Sequence, residues 1–309
     1  MKDSAVLLID CPDRKGLVAR VSSLLYECGA NILHADQHQD HELGLFFMRV
    51  EWSLADGSPG LANAEPCRVA AQEPSPIPPS AGRFDLEGFR AAFAPLAAEL
   101  NMRWKLTSGA ALPRVALFCS QYLHCMADLQ HRWRSGELLC EIPLIVSNHR
   151  DVERLAAFYG IPFEDVPVTA ATRDKAEERQ LELLERYEIE LVVLARYMQV
   201  LSPAFVVRYP AAIINVHHSF LPAFTGAKPY HAAHARGVKL IGATSHYVTE
   251  VLDDGPIIEQ DVARISHRDQ VEDLAARGRD LERVVLSRAV RWHLDRRILC
   301  YGNKTVVFD

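Results

Sequence analysis

The sequence predicts an α/β protein of two domains, an amino-terminal ferredoxin-like unit of order βαββαβ and a larger, doubly wound, mostly parallel α/β domain after it. Three observations support this fold class. Short strand and helix patterns alternate over residues 4–106, and apolar runs alternate with helical patterns after residue 113. Continuous apolar runs such as residues 191–195 are typical of strands buried on both faces of a parallel sheet. The 309 residues, 49% of them hydrophobic, suffice for two cores.

The elements of the first unit follow from the spacing of its apolar residues. In chain order we predict a strand, a helix, the two strands of a hairpin, a second helix and a last strand, at residues 4–10, 14–28, 31–39, 43–52, 85–100 and 102–106. Gly29 follows the first helix, where a left-handed residue commonly ends a helix. Residues 55–83 contain six prolines and three glycines, which predicts an irregular insertion before the second helix.

The second domain is predicted to begin at residues 107–112, so that the chain divides into residues 1–107 and 108–309. Its strands are predicted at residues 114–119, 142–147, 191–195, 211–214 and 304–308, and its helices at residues 125–135, 152–159, 173–187 and 269–297. Parallel sheets of this kind bind ligands beyond the carboxyl ends of their strands. We therefore expect the functional site at that edge.

Polar residues at one predicted strand end form a candidate site. Asn215 and His217 come directly after the apolar residues 211–214, and positions i and i+2 of an extended chain share one face. The amide can donate a hydrogen bond, and the imidazole can act as an acid, a base or an electrophile. Asp253 offers a carboxylate in a later turn. An isolated pair of this kind is more often a satisfied polar pair than a catalytic one.

Three longer strings carry a resemblance to a known family. Residues 214–226, 242–248 and 252–258 resemble the folate-dependent formyltransferase family, and within it the deformylase branch. Members of that branch hydrolyse 10-formyltetrahydrofolate to formate and tetrahydrofolate, which supplies formate for purine synthesis or balances one-carbon pools. The resemblance implies a formyltransferase-like second domain, the folate as substrate, and no permanently bound cofactor.

The same resemblance implies roles for particular residues. Asn215 would donate to the formyl oxygen, His217 would stabilise the tetrahedral oxyanion, and Asp253 would hold the attacking water. The folate would lie against a wall formed by Arg196, Met198, Val200, Leu201, His246 and Val248. His246 is explained equally well as a strand histidine that is hydrogen-bonded to the surrounding structure.

The turn after the first strand of the second domain favours water over an amine as the nucleophile. A transferase must hold the phosphate of an acceptor such as glycinamide ribonucleotide, and a glycine-rich turn before a helix suits that purpose. Residues 118–125 contain no glycine. Hydrolysis is therefore the predicted reaction, and formyl transfer to such a small amine is the alternative.

Two other classes of function also fit parts of the sequence. A metal-dependent hydrolase would draw its ligands from His217, His218, His231, His234 and His246. Their spacing lacks the HExxH or Cys-His context of known metal sites, so we predict no metal. A catalytically inactive amino-acid sensor would need only the first unit.

Two residues next to the candidate site are expected to point away from it. Strand alternation predicts that His218 faces away from His217, and Asp254 is expected to face solvent.

The first unit resembles the ACT domain, a module that binds amino acids and regulates neighbouring enzymes. The residues that carry this resemblance include Asp10, Asp13, Gly16 and Asn31. An amino-acid effector is implied at the loop before the first helix, where free backbone N–H groups suit a carboxylate. Gly16 and Asn31 would serve equally well as turn residues in a module used only for assembly. A homo-oligomer, with a tetramer as one candidate, is implied by this resemblance.

Composition argues against several classes of partner. The net charge of −6 and the pI near 6.1 provide no basic surface for nucleic acid. The amino terminus lacks a signal-peptide pattern, and no run of about 18 uncharged apolar residues occurs, so we expect a cytoplasmic protein without a membrane partner. The seven cysteines lack Cys-x-x-Cys spacing, which predicts neither disulfides nor structural zinc.

Overall fold

The computed structural model describes residues 3–55, 84–109, 111–222 and 229–308. These residues form two compact units, the first extending to Ala111 and including Phe308, and the second running from Leu112 to Val307. The predicted irregular insertion at residues 55–83 lies outside the described residues except for Ala55, and so do residues 223–226 of the family-like string. No helix within the described stretches is long and apolar enough to cross a lipid bilayer.

The first unit has the predicted ferredoxin-like order. Its elements are β1 (Ser4–Pro12), α1 (Leu17–Glu27), β2 (Asn31–Asp40), β3 (Leu45–Ser53), α2 (Leu86–Glu99) and β4 (Arg103–Ser108). The four strands form one antiparallel sheet in the order β2-β3-β1-β4. Buried residues four apart give each helix one apolar face, and these residues are Leu17, Val21 and Leu25 on α1 and Phe89, Phe93 and Ala97 on α2.

The first helix begins at Leu17, three residues later than predicted, because a turn precedes it. Gly16 has φ 89°, a left-handed conformation that glycine adopts without steric cost. At the other end Gly29 is also left-handed, with φ 80°, and its N–H donates to the carbonyl of Tyr26. The end of this helix is therefore as predicted.

The second unit is built around a seven-stranded sheet. Its strands are β5 (Arg114–Cys119), β6 (Glu141–Ser147), β7 (Phe163–Asp165), β8 (Leu191–Leu194), β9 (Ile213–His217), β10 (Leu240–Tyr247) and β11 (Ile257–Arg264). Its helices are α3 (His124–Arg134), α4 (Glu153–Tyr159), α5 (Arg173–Arg186), α6 (Pro203–Val206), α7 (Pro229–Arg236) and α8 (Val271–Leu294). The strand order is β11-β10-β9-β8-β5-β6-β7, parallel from β9 to β7, with β10 and β11 antiparallel. The mostly parallel α/β prediction is confirmed.

Of the strands predicted for the second domain, one lies later in the chain than expected and another lies outside the main sheet, and β7, β10 and β11 were not predicted. The strand expected at residues 211–214 is β9, which begins at Ile213 because Ala211 has φ 50° and the chain is still turning there. The last strand, expected at residues 304–308, is β13 (Lys304–Val307), which pairs with β12 (Ile298–Tyr301) in a separate two-stranded sheet. Strand propensity is local, whereas the choice of partner strand depends on tertiary packing.

The sheet order brings several strand ends together at one edge. Strands β5, β8 and β9 are adjacent and parallel, so the residues that follow them lie at the same edge. Strand β10 runs antiparallel beside β9, with His246 opposite Asn215 and Thr244 opposite His217. The predicted site residues therefore come from neighbouring strands.

Candidate active site

Asn215 and His217 lie on β9 itself, two residues apart and on one face, as strand alternation requires. On the neighbouring strand His246 is 2% exposed and lies directly across from Asn215. The Asn215 Nδ2 atom is 3.3 Å from His246 Nε2. Strand pairing thus fixes the amide and two imidazoles at one end of the sheet.

Asp253 is placed by a tight turn after β10. It has φ 54°, a left-handed conformation that aspartate tolerates better than most residues. Two residues on, a Cβ atom added to Gly255 would lie 1.7 Å from the Tyr247 carbonyl oxygen, so only glycine allows this approach. The turn returns the carboxylate of Asp253 toward β9 and β10.

The carboxylate of Asp253 contacts both histidines. Its Oδ2 atom is 3.2 Å from His217 Nδ1, and its Oδ1 atom is 3.7 Å from His246 Nε2. The hydrogen bond from His217, followed by the contact with His246, holds the pKa of Asp253 well below its usual range, although burial opposes these effects. Asp253 is therefore ionised at neutral pH. The three residues predicted to be catalytic are brought together, and His246 joins them.

The network assigns the protons on these rings. An ionised carboxylate only accepts hydrogen bonds, so the Nδ1 atom of His217 carries a proton. The Nε2 atom of His217 is buried and has no hydrogen-bond partner among the described residues. A buried polar atom without a partner is costly, so this nitrogen is suited to a polar group of a ligand.

His246 and Asn215 are assigned in the same way. His246 Nδ1 is 2.9 Å from the carbonyl oxygen of Tyr247, which can only accept, so that nitrogen carries a proton. In the neutral ring Nε2 then accepts from the Asn215 amide, which keeps a second N–H for another acceptor. His246 is thus hydrogen-bonded to structure and also orients a site residue.

Residues predicted to contact the folate divide into exposed and buried groups. Met198 and Val200 are 50% and 52% exposed and are accessible to a ligand. Leu201 is buried in a hydrophobic core cluster, and Val248 packs against that cluster. In the turn before Asp253, Val251 and Leu252 are 63% and 64% exposed. Exposed apolar side chains in both loops suit the apolar body of a pterin.

Arg196, also predicted to contact the folate, is only slightly exposed and points into the protein. Its Nε atom lies 3.4 Å from Glu282 Oε2, an ion-pair contact outside hydrogen-bond geometry, and its Nη1 atom is 2.8 Å from His218 Nδ1. Its guanidinium also lies over the ring of Tyr122, 5.2 Å from the centroid. No sequence pattern pointed to Glu282, because this carboxylate lies in the middle of α8, far along the chain.

The predicted orientation of His218 is wrong. Strand β9 ends at His217, so the alternation that would turn the next side chain away does not extend to His218. Its ring instead stacks on that of His217, with centroids 5.0 Å apart and an interplanar angle of 26°. Asp254, by contrast, is exposed as predicted.

Comparison with known proteins shows which family the chain belongs to. Residues 113–290 match the formyl transferase family and residues 5–51 match the ACT domain. A formyltetrahydrofolate deformylase of Synechocystis is 50% identical over 99% of this chain and 98% of its own length. The crystal structure of a formyltetrahydrofolate deformylase from Pseudomonas syringae has a TM-score of 0.88 at 47% identity, covering 99% of this chain and 94% of that one. The chain belongs to the formyltetrahydrofolate deformylase family.

A relative that is not a deformylase matches only part of the chain. A glycinamide ribonucleotide transformylase from Symbiobacterium toebii has a TM-score of 0.61 at 28% identity, and the match covers 66% of this chain and 98% of that one. The ACT match over residues 5–51 belongs to the first unit. This chain therefore combines a formyl transferase match with an ACT match.

Among the residues that the structure describes, one group has the composition of a metal site. The ligand atoms of His124, Cys125 and Glu282 all lie within 4.8 Å of one another. The guanidinium of Arg196 already contacts Glu282, and burial followed by the charge of Glu282 raises the pKa of the Cys125 thiol. A neutral thiol beside a fixed cation is a poor cation site. His231 and His234, from the rival metal hypothesis, are exposed on α7.

The four residues that carry the ACT resemblance lie around the β1–α1 turn and at the start of β2. The carboxylate of Asp10 pairs with Arg103, whose Nη2 atom is 2.6 Å away. Asp13 accepts from the side-chain amide of Gln39 at 3.1 Å. Gly16 precedes α1, which has no side-chain cap at its amino terminus, and Asn31 is the exposed first residue of β2. The structure leaves the predicted effector site untested.

Proposed function

We propose that the protein hydrolyses 10-formyltetrahydrofolate to formate and tetrahydrofolate. The observation that carries this proposal is the convergence of Asn215, His217 and Asp253, with the buried Nε2 atom of His217 left without a partner among the described residues. Deformylases that share about half of the residues over nearly the whole chain support the same reaction.

The first step is polarisation of the formyl group. The free N–H of Asn215 and the Nε2–H of a protonated His217 donate to the formyl oxygen, and both bonds strengthen as negative charge develops on that oxygen. Asp253 stays ionised beside His217 and compensates the positive charge of the ring. No metal ion or permanently bound cofactor is required for this polarisation, and the folate is itself the substrate.

Water then attacks the formyl carbon. Because its pKa is so low, Asp253 is a weak proton acceptor, and its main contribution is to orient the water and stabilise charge. As the C–N bond breaks, the Nε2 proton of His217 passes to the amine nitrogen of the folate, and the proton that the attacking water loses returns the ring to its charged form. Formate and tetrahydrofolate are released, so the step needs no further reactant.

Groups near the β5–α3 turn support water as the nucleophile rather than an amine acceptor. Ser120 Oγ donates to Asn148 Oδ1 at 2.7 Å and accepts from the Met198 N–H at 3.0 Å. His124 is held by Glu282 at 2.7 Å. Ser120 and His124 are thus each held by other protein groups, and the turn offers no glycine to admit a phosphate.

The test uses purified protein with 10-formyltetrahydrofolate, with and without glycinamide ribonucleotide. We expect formate and tetrahydrofolate in equal amounts without the nucleotide, and the same rate after exhaustive chelation of metals. Formyl transfer that depends strictly on the nucleotide would overturn the proposal, and activity lost on chelation and restored by a metal would favour the metal-dependent class.

The proposal also covers the roles of the two domains, the assembly of the protein and the use of its product. We propose that residues 1–107 act as an ACT-like regulatory domain and residues 108–309 as the catalytic domain. An amino acid would bind near Asp10, Asp13, Gly16 and Asn31. The protein would act as a cytoplasmic homo-oligomer, for which a tetramer is one candidate, and its formate would supply purine synthesis or balance one-carbon pools. Sedimentation velocity tests the assembly.

A further inference from the structure

A buried carboxylate on α8 anchors a chain of polar contacts that ends at the catalytic histidine. Glu282 is 1% exposed, and its Oε2 atom lies 2.7 Å from His124 Nε2 and 3.4 Å from Arg196 Nε. Its Oε1 atom accepts from the Tyr230 hydroxyl at 2.9 Å. Burial opposes ionisation, but the bond from His124 and the charge of Arg196 leave the pKa of Glu282 lowered. Glu282 is therefore a charged partner for Arg196.

Arg196, paired with Glu282, in turn fixes the position of the proton on His218. A guanidinium only donates hydrogen bonds, so the His218 Nδ1 atom, 2.8 Å from Arg196 Nη1, must accept. The ring proton of His218 then sits on Nε2, and the ring is neutral. This neutral ring is the one that stacks on His217 at 5.0 Å.

Two stacked imidazoles beside one carboxylate could share a single positive charge. The mechanism requires that charge on His217, whose Nε2 atom is directed to the ligand. We propose that Arg196 and Glu282 are positioning residues that hold His218 neutral in its Nε2–H tautomer, so that of the two stacked imidazoles His217 alone is positively charged. This inference deepens the proposed hydrolysis and rests on it.

The surroundings of His218 agree with this assignment. Burial, then the charges of Arg196 and His217, lower the pKa of His218 to about 4, while Glu282 and Asp253 oppose them. The ring of Tyr230 packs beside His218 with centroids 6.2 Å apart. Helix α8 admits Tyr230 because residue 278 is glycine, where a Cβ atom would lie 1.9 Å from the Tyr230 hydroxyl.

The experiment follows the histidine rings of the full chain by nitrogen NMR after selective isotope labelling. The His218 signals are assigned by their loss in His218→Gln. In the wild type we expect His218 to remain neutral, with its proton on Nε2, down to about pH 5. In Arg196→Met we expect its pKa to rise from about 4 to about 6, below the ordinary 6.5 because the burial of the ring remains. Arg134→Met, an exposed arginine on α3, is the matched control and should leave the titration unchanged.

Kinetics provide the second readout. In Arg196→Met we expect kcat relative to wild type to fall about tenfold at pH 5, where a charged His218 competes with His217, and to recover to within about threefold at pH 8.5. Arg196→Met/Glu282→Gln, which removes both buried charges, should behave like Arg196→Met and serves where Arg196→Met alone fails to fold because it leaves the buried Glu282 charge without its cation. A loss of kcat that is independent of pH would overturn the proposal.

The outcomes separate this inference from the proposed function. If His218 titrates alike in the wild type and in Arg196→Met, or carries its proton on Nδ1, the positioning role is overturned even when formate release is confirmed. If the wild type releases no formate while the NMR titrations differ as expected, hydrolysis is overturned, and the control of the His218 proton by Arg196 is upheld.

Discussion

Single hydrogen positions decide what this site does. Asp253 accepts from His217 Nδ1, the Tyr247 carbonyl accepts from His246 Nδ1, and Arg196 donates to His218 Nδ1. In each histidine, the partner of Nδ1 determines whether Nδ1 carries a proton, and this sets the role of Nε2 in the same ring. The three imidazoles therefore differ in function, although His217 stacks on His218 and shares the Asp253 carboxylate with His246.

Loss of any one of the three catalytic side chains should reduce turnover without unfolding the protein. For Asn215→Ala, His217→Ala and Asp253→Asn we expect kcat to fall by about 10²–10³, because each variant removes a donor or a charge that acts mainly in the transition state. The measurement is initial formate release, with thermal unfolding checked beside it. His234→Ala, at an exposed position on α7, should retain full activity. A fully active Asp253→Asn would contradict the catalytic roles of these side chains.

The buried neutral His218 should make stability depend on pH. Its folded pKa of about 4 is below the ordinary 6.5, so between these values the unfolded chain binds more protons. The contribution is complete above about pH 6.5 and is lost as the pH falls toward 4, by an amount on the order of 1–3 kcal/mol. Denaturant unfolding of the wild type and of His218→Gln over this range measures it. Parallel curves for the two proteins would refute it.

At the scale of elements, two glycines allow close approaches that place side chains. Gly255 lets the turn after β10 pass the Tyr247 carbonyl, and Gly278 lets Tyr230 reach α8. Glycine inside a helix costs about 1 kcal/mol relative to alanine, so its presence in α8 has a compensating reason. That reason is the hydrogen bond from Tyr230 to Glu282.

Gly278→Ala should destabilise the protein by about 1 kcal/mol, because the lost bond to a charged group outweighs the gain in helix propensity. In a Tyr230→Ala background the clash is absent, so the same substitution should be neutral or stabilising by up to about 1 kcal/mol. A double-mutant cycle of unfolding free energies measures the coupling. Equal effects in the two backgrounds would show that Tyr230 is not the reason for the glycine.

Gly255→Ala should displace Asp253 and reduce kcat by about 10², since a shift of about 1 Å in a catalytic group has an effect of that size. The added Cβ meets backbone rather than a flexible side chain, so the turn itself must move. Asp254→Ala, at the exposed neighbouring position, is the control and should stay within about twofold of wild type. Unchanged kcat in Gly255→Ala would mean that the turn does not set the position of Asp253.

At the scale of the whole molecule, the chain consists of two compact units that match two families. An amino-acid effector at the first unit would act on hydrolysis in the second only if it binds two states of the protein differently. Family resemblance is the reason to look for such coupling, and a binding measurement can establish it.

If the first unit binds an effector, glycine or methionine should give saturable heat on titration and change kcat/KM by about 5- to 150-fold. Replacing Gly16 with alanine would strain a residue at φ 89° and should weaken that binding while leaving the rate without effector near wild type. Alanine, serine and leucine serve as comparison amino acids. Absence of binding by any of them would leave assembly as the role of this unit.

Much of the fold was predictable because its signals are local. Apolar spacing gave β5 its observed bounds and placed α5 within one residue, since buried strands and helix faces are encoded in neighbouring residues. The antiparallel strands β10 and β11 and the pairing of β13 with β12 were not predicted. Strand pairing depends on contacts between distant segments that no local pattern records.

The sequence by itself determined the two-domain α/β class and named Asn215, His217 and Asp253, because alternation on a strand and family-like strings need no tertiary information. Only the tertiary structure decided that His218 stacks on His217 and that Arg196 turns inward to Glu282. Glu282 is 86 residues from Arg196 in the chain, and the two meet because α8 packs against β9, β10 and β11, next to the segment that follows β8. Proton positions in the site follow from that packing, which is why sequence patterns could not supply them.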